Sequence, residues 1–169
     1  MTLDELIPLV ARFLAARRVP YFIFGGVGVS LWGEPRTTKD LDLVLSVARG
    51  GTPSLVAGLN ALGFGITKPL HRKLREGRIV QLPMDLTALD VKLCTTDHDR
   101  ETLARARLAK LGDFELSVAT PEDIVLYKLQ TWRRQDQADI ENLLGNVKAM
   151  EVRYIEDRLA PLEGATGHP

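Results

Sequence analysis

Asp40 and Asp42 stand two residues apart in the run Asp40-Leu41-Asp42-Leu43-Val44-Leu45. In an extended strand alternate side chains share a face, so the two carboxylates project together while Leu41, Leu43 and Leu45 take the other side. Adjacent carboxylates repel, and a divalent cation turns that repulsion into attraction, which makes the pair a candidate site for Mg²⁺ or Mn²⁺. Upstream, Gly25-Gly26 follows the apolar run Tyr21-Phe22-Ile23-Phe24 and opens a segment that can start a helix. Backbone N–H groups there can face an anion with no side chain in the way. Arg36, Thr37, Thr38 and Lys39 add two cations and two hydroxyls directly ahead of the acidic pair. Either motif alone reads as a tight turn or a polar strand face. Their order within one short unit points to a metal–nucleotide site.

A third carboxylate is available in the run Met84-Asp85-Leu86-Thr87-Ala88-Leu89-Asp90-Val91. Asp90 lies between residues expected to be buried, so its charge needs a partner, and a metal shared with Asp40 and Asp42 supplies one. Asp85 is the rival. It lies near Pro83 at the start of the strand, where water can solvate it, and Asp90 is preferred on that ground.

The stretch GGVGVSLWGEPRTTKDLDLVL resembles the signature of the nucleotidyltransferase superfamily with the polymerase-β-type fold: a Gly-Gly or Gly-Ser turn followed by an acidic pair on a strand. It is most similar to the AbiEii-like abortive-infection toxin nucleotidyltransferases, and its spacing is also similar to that of aminoglycoside and lincosamide nucleotidyltransferases. By that resemblance Asp40, Asp42 and Asp90 hold Mg²⁺, and Gly25-Gly26 and Arg36, with Thr37 beside it, hold a nucleoside triphosphate. The segment from Thr120 to Leu144 resembles the carboxy-terminal motif of the AbiEii-like group. It implies that Lys128 approaches the nucleotide phosphates and that Asp139 orients the nucleotide or assists at the acceptor. Lys128 reads equally well as a helix-surface ion-pair partner, and ion pairing is the favoured reading of Asp139. The family's frequent Gly-Ser is here Gly25-Gly26, with Ser30 a helical turn away, which leaves the closest subgroup open.

The rest of the chain reads as what must position these groups. In 169 residues, 45% hydrophobic and 26% charged, there is enough apolar content for one core. Net charge is zero, so no global basic field advertises a nucleic-acid partner. Cys94 is the only cysteine, no opening signal segment or membrane-length apolar run is seen, and a cytoplasmic location without a membrane partner is expected. Amphipathic periodicity predicts a helix over 3–17, capped at Thr2, and another over 52–62 with Thr52 as cap and Pro53 at its first position. Residues 62–82 predict an edge strand and a turn at Glu76-Gly77. Lys68, Arg72, Lys73, Arg75 and Arg78 gather there, as a solvated edge or as a face for an anionic acceptor. A helix over 97–108, a hairpin turning at Gly112-Asp113, a helix from Pro121, Asp136 capping the next helix, and a final helix over 147–160 complete the reading.

The predicted fold is α+β: a small mixed sheet bearing the three carboxylates, helices on one side, and a carboxy-terminal helical lobe across a cleft. Residues 1–119 form the core, 120–162 the lobe packed on it, and 163–169 a flexible tail. The predicted activity is Mg²⁺-dependent transfer of a nucleoside monophosphate from a nucleoside triphosphate to a hydroxyl of RNA or protein. A toxin paired with an antitoxin partner, or a phage-defence role, follows from the resemblance. Antibiotic modification and a non-catalytic binding module are the alternatives, and the oligomeric state is unknown.

Overall fold

Leu3–Ala16 form α1 because Leu6, Ile7, Val10, Phe13 and Leu14 recur at helical spacing and are all buried, while the Thr2 N–H donates to Glu5 at the amino end. Pro20 then ends the turn and the chain enters the sheet. The computed structural model describes residues 1–166, with side chains described through Leu159. It contains β1 (Tyr21–Ile23), α2 (Gly25–Trp32), β2 (Asp40–Leu45), α3 (Thr52–Ala61), α4 (Lys68–Arg75), β3 (Val80–Met84), β4 (Thr87–Leu93), α5 (Asp97–Arg105), β5 (Arg107–Leu111), β6 (Phe114–Val118), α6 (Pro121–Thr131), α7 (Arg134–Asn146) and α8 (Val152–Thr166). No helix among the described residues is long and apolar enough to cross a membrane.

The strands make one mixed sheet in the order β3-β4-β2-β1-β6-β5. At its centre β2 runs parallel to β4, with Asp42 beside Asp90, and antiparallel to β1. Strand alternation splits the core in two. Ile23, Leu41, Leu43, Leu45, Leu89 and Val91 pack under α1, α3 and α4. Phe22 and Val44 point the opposite way and are covered by Ile124, Val125 and Leu126 of α6, Leu143 of α7 and Ile155 of α8. Asp40 and Asp42 alternate with Leu41 and Leu43, so the acidic pair shares its sheet face with the carboxy-terminal helices rather than with α1. This is the expected α+β arrangement, with the lobe beside the acidic face.

Several boundaries differ from expectation, each for a physical reason. Residues 68–75 are helical where the sequence predicts only a strand and turn: Leu70 and Leu74 meet the core one turn apart, Pro69 sits in the first turn, and the edge strand follows as β3. Gly51 occupies the N-cap position of α3, and Thr52 is its first helical residue rather than its cap. The helix expected to reach Leu108 stops at Arg105, because residues 107–111 pair with β6. The last helix runs over Val152–Thr166 rather than 147–160, taking in Pro161 and part of the stretch expected as a tail. The remainder of that tail, 167–169, lies outside the described residues.

Candidate active site

The site begins with a steric fit between a turn and a strand. Gly25 has φ of +61°, and a Cβ on it would stand 2.0 Å from Asp42 Oδ2. A Cβ on Gly26 would stand 2.6 Å from Thr38 Oγ1 and 2.9 Å from an Arg36 guanidinium nitrogen. Both glycines are thus required, the first by its backbone angle and by Asp42, the second by Thr38 and Arg36. The Gly26 N–H lies near enough to Asp42 to favour its charged form slightly. Ser30 does not face a ligand. Its hydroxyl donates to Gly26 O at 3.0 Å and accepts from the Arg36 N–H at 3.2 Å, bracing the turn against the following loop.

Asp40, Asp42 and Asp90 share one sheet face, Asp42 and Asp90 in direct register across parallel strands. Burial, then the charges of Asp90 and Asp40, push Asp42 up to about 7, although Lys128 and the Gly26 N–H pull the other way. Asp90 is also raised, first by burial and then by Asp40, with Gln81 and Arg133 opposing. Its Oδ1 is buried without a hydrogen-bond partner. Among the described residues no three acidic, imidazole or thiol groups close around one point. The orphaned Asp90 Oδ1 and the acidic pair on the same sheet face are oxygen donors of the kind Mg²⁺ takes together with substrate phosphates and water. Asp85 lies elsewhere, in the β3–β4 hairpin turn with φ of +53°, paired with the Met1 amino group at 2.7 Å.

Opposite the carboxylates stand cations held by two buried acids of α7. Asp139, 1% exposed, accepts from Arg36 Nε and Nη2 at 2.5 and 2.8 Å and pairs with Lys128 Nζ at 2.6 Å. Asp136, equally buried, accepts from the Arg133 N–H and Nε at 2.9 Å each, from Thr131 Oγ1 at 2.8 Å and from Lys128 Nζ at 3.3 Å. Arg36 and Lys128 hold Asp139 below the usual carboxylate range despite its burial. Asp139 does not line the cleft. It fixes the two cations expected at the phosphates, which is closer to the ion-pair reading than to direct contact with a nucleotide.

These groups enclose a cleft of about 880 Å³ lined by Gly25, Gly26, Arg36, Thr37, Thr38, Asp40, Asp42, Asp90, Lys128 and Arg133, among others. The lining also includes Gly77, Ile79, Lys92 and Tyr127. Lys92 Nζ and Tyr127 Oη both donate to Asp99 at 2.7 Å, an arrangement that no sequence motif announced. Asp136, expected to cap α7, lies in its first turn instead, with Arg133 at the N-cap position donating its N–H to the Asp136 carboxylate; the hold of Asp136 on Lys128 across two helices carries no sequence signal.

No family model matches the chain, and no curated protein matches it in sequence. Solved structures do. The solution structure of the antibiotic-resistance factor ANT(2'')-Ia matches with a TM-score of 0.65 at 14% identity over 100% of both chains. An antigenic nucleotidyltransferase-like protein from Paracoccidioides brasiliensis matches at 0.58 and 19% identity, over 99% of this chain and 91% of that one. The lincomycin-bound lincosamide antibiotic adenylyltransferase LnuA matches at 0.61 and 17% identity, over 85% of this chain and 96% of that one. The chain has the nucleotidyltransferase fold. Within that fold the Gly25-Gly26 turn, the three strand carboxylates and the cations of the lobe face a single cleft.

Proposed function

We propose that this protein transfers a nucleoside monophosphate from a nucleoside triphosphate to a hydroxyl of an RNA or protein acceptor, and that the reaction depends on Mg²⁺ or Mn²⁺. The observation that carries the reading is the opposition, across one cleft, of Asp40, Asp42 and Asp90 to Arg36, Lys128 and Arg133. Arg36 and Lys128, pre-set by Asp139, neutralise the triphosphate. The Gly25-Gly26 turn lets its backbone close on the phosphates, with Thr37 at the rim. Asp40, Asp42 and Asp90 would hold the divalent ion, which supplies neutralisation of charge on the phosphate oxygens and on the departing group.

The acceptor oxygen forms its bond to the α-phosphorus as the α–β bridging P–O bond breaks and pyrophosphate leaves. The hydroxyl proton passes to Asp90, whose Oδ1 has no hydrogen-bond partner of its own among the described residues. Positioning and electrostatics carry the rest.

Pyrophosphate release with labelled nucleotide transfer is the test. Asp90→Asn should lower turnover by about 10²-fold or more, the usual scale of general-base loss, while leaving nucleotide binding measurable. Unchanged transfer by folded Asp90→Asn and Asp42→Asn proteins would refute the assignment.

The resemblance to AbiEii-like enzymes adds that the protein acts as a toxin restrained by an antitoxin partner, or in phage defence. Growth arrest on expression that disappears in Asp42→Asn supports it. A drug acceptor is the second reading, favoured by the fold shared with ANT(2'')-Ia and LnuA; transfer of label to tobramycin or lincomycin would establish it. A non-catalytic module would bind neither nucleotide nor metal.

A further inference from the structure

Lys92 lines the cleft but has no role in the transfer described above. It comes from the sheet itself, whereas Arg36, Lys128 and Arg133 come from the loop before β2, from α6 and from the residue that precedes α7. Along β4 the alternation buries Leu89, Val91 and Leu93 in the core on one face and turns Asp90 and Lys92 to the other. Two residues of strand rise set their Cα atoms about 7 Å apart. A carboxylate and an ammonium on one strand can thus serve a single small ligand group.

The Lys92 ammonium is held from behind. Asp99, fully buried in the first turn of α5, accepts from Lys92 Nζ and Tyr127 Oη at 2.7 Å each, and from the Thr95 and Thr96 N–H groups at 3.0 Å each. Thr95, Thr96 and Tyr127 by themselves fasten α5 to the end of β4 and to α6. The joint therefore has no need of a lysine that also opens into the cleft. Among the described residues Asp99 is the one hydrogen-bond partner of Lys92 Nζ, so two of the three ammonium N–H groups are left for a ligand. The Tyr127 ring, 6.0 Å from Nζ and 4.9 Å from the Phe24 ring, puts an apolar wall beside the charge, which strengthens any contact it makes there.

We propose that Lys92 is a further catalytic residue, whose ammonium donates to a non-bridging oxygen of the phosphoryl group being transferred. The inference rests on the nucleotidyl-transfer reading and adds a residue to it. In that reading the acceptor hydroxyl meets Asp90, so the α-phosphorus it attacks lies beside Asp90, one strand repeat from Lys92. Arg36 and Lys128, fixed by Asp139, take the phosphates that leave. As the acceptor oxygen bonds to phosphorus and the bridging oxygen departs with pyrophosphate, charge is redistributed over the non-bridging oxygens. An ammonium already fixed at that point stabilises it without reorganising. Lys92 keeps its protons throughout, and the bond changes are those given above.

The test uses the full chain with Mg²⁺ and calorimetry on three kinds of probe: nucleoside triphosphates, the matching monophosphates, which carry the α-phosphate alone, and inorganic pyrophosphate. Lys92→Met should weaken monophosphate binding about 10-fold or more, the scale of a lost hydrogen bond to a charged group, and leave pyrophosphate binding unchanged. Lys92→Arg, which keeps the charge and a partner for Asp99, should recover most of the loss. An ion pair that only fastened α5 would lower the urea midpoint and leave the ratio of the two affinities as in wild type. In wild-type protein labelled with ¹³C and ¹⁵N, the Lys92 side-chain resonances should move on adding monophosphate and stay in place with pyrophosphate, a readout that does not depend on the variant folding. A monophosphate-to-pyrophosphate ratio unchanged in folded Lys92→Met, Lys92 resonances that ignore the monophosphate, or wild-type protein that binds triphosphate but no monophosphate would overturn the Lys92 assignment alone. Wild-type protein that binds no Mg²⁺-triphosphate would overturn the transfer reading on which it rests.

Discussion

Asp42 is where the chemistry of the site meets its cost to the fold. Its carboxyl titrates near 7 in the folded protein and near 3.8 when unfolded, so between those values the native state binds the extra proton. Stability of the metal-free protein is therefore full below the lower value and falls as pH rises through the interval, the reverse of a salt-bridged aspartate. The ceiling on this loss is about 4 kcal/mol, at about 1.36 kcal/mol per pH unit. With a chelator present, Asp42→Asn should be more stable than wild type at pH 8 and indistinguishable from it near pH 4, as urea melts at the two pH values would reveal. Adding Mg²⁺ at pH 8 should raise the wild-type midpoint and leave that of the variant in place; equal midpoints without metal would remove Asp42 as the strained group. Gly25→Ala is the complementary change. Its Cβ would overlap Asp42 at a positive φ, so a loss on the order of 1–3 kcal/mol and disrupted nucleotide binding are expected. Wild-type nucleotide affinity in that variant would contradict the steric account.

At the scale of elements, the central joint is the grip of α7 on the loop before β2 and on α6. Asp139→Ala leaves the 7%-exposed Lys128 with a weaker partner set and frees Arg36, so a destabilisation of about 3–5 kcal/mol is expected in urea melts. Asp139 is held below its ordinary pKa, so this support is present above the unfolded carboxylate range and is lost as pH falls through the folded value. A wild-type midpoint for the variant at neutral pH would argue against the joint. Elements with local signals were legible from sequence. The stripe of α1, the Thr120-Pro121 start of α6 and the alternation that puts Asp40 opposite Leu41 depend on residues a turn or less apart. α4 was harder to read because only Leu70 and Leu74 mark its inner face, and its basic side looked like an edge strand's protection. The hold of Asp139 on Arg36 spans 103 positions, and no periodicity carries a contact of that range.

For the whole molecule, the division at residue 119 marks a change of element type rather than a boundary of stability. Removing everything after it would strip α6 from Phe22, Phe24 and Val44 in the middle of the sheet. Core and lobe are therefore expected to unfold together. Trp32 packs against both halves of the core and donates to Ala119 O, and Trp132 ends α6, so the two report from separate places in the molecule. Trp132→Phe and Trp32→Phe, each leaving one tryptophan, should give coincident urea transitions by fluorescence and circular dichroism; separated transitions would make the lobe an independent unit. A mixed sheet and a cleft were expected, but the strand order was not legible, since it arises from pairings between distant strands. The most direct test of the central claim is the heat of binding of each nucleoside triphosphate, with and without Mg²⁺, to wild-type protein and to Asp42→Asn. Binding that requires the metal and is lost in the folded variant is the predicted result. A folded wild-type protein that takes up no nucleotide with Mg²⁺ present would contradict it.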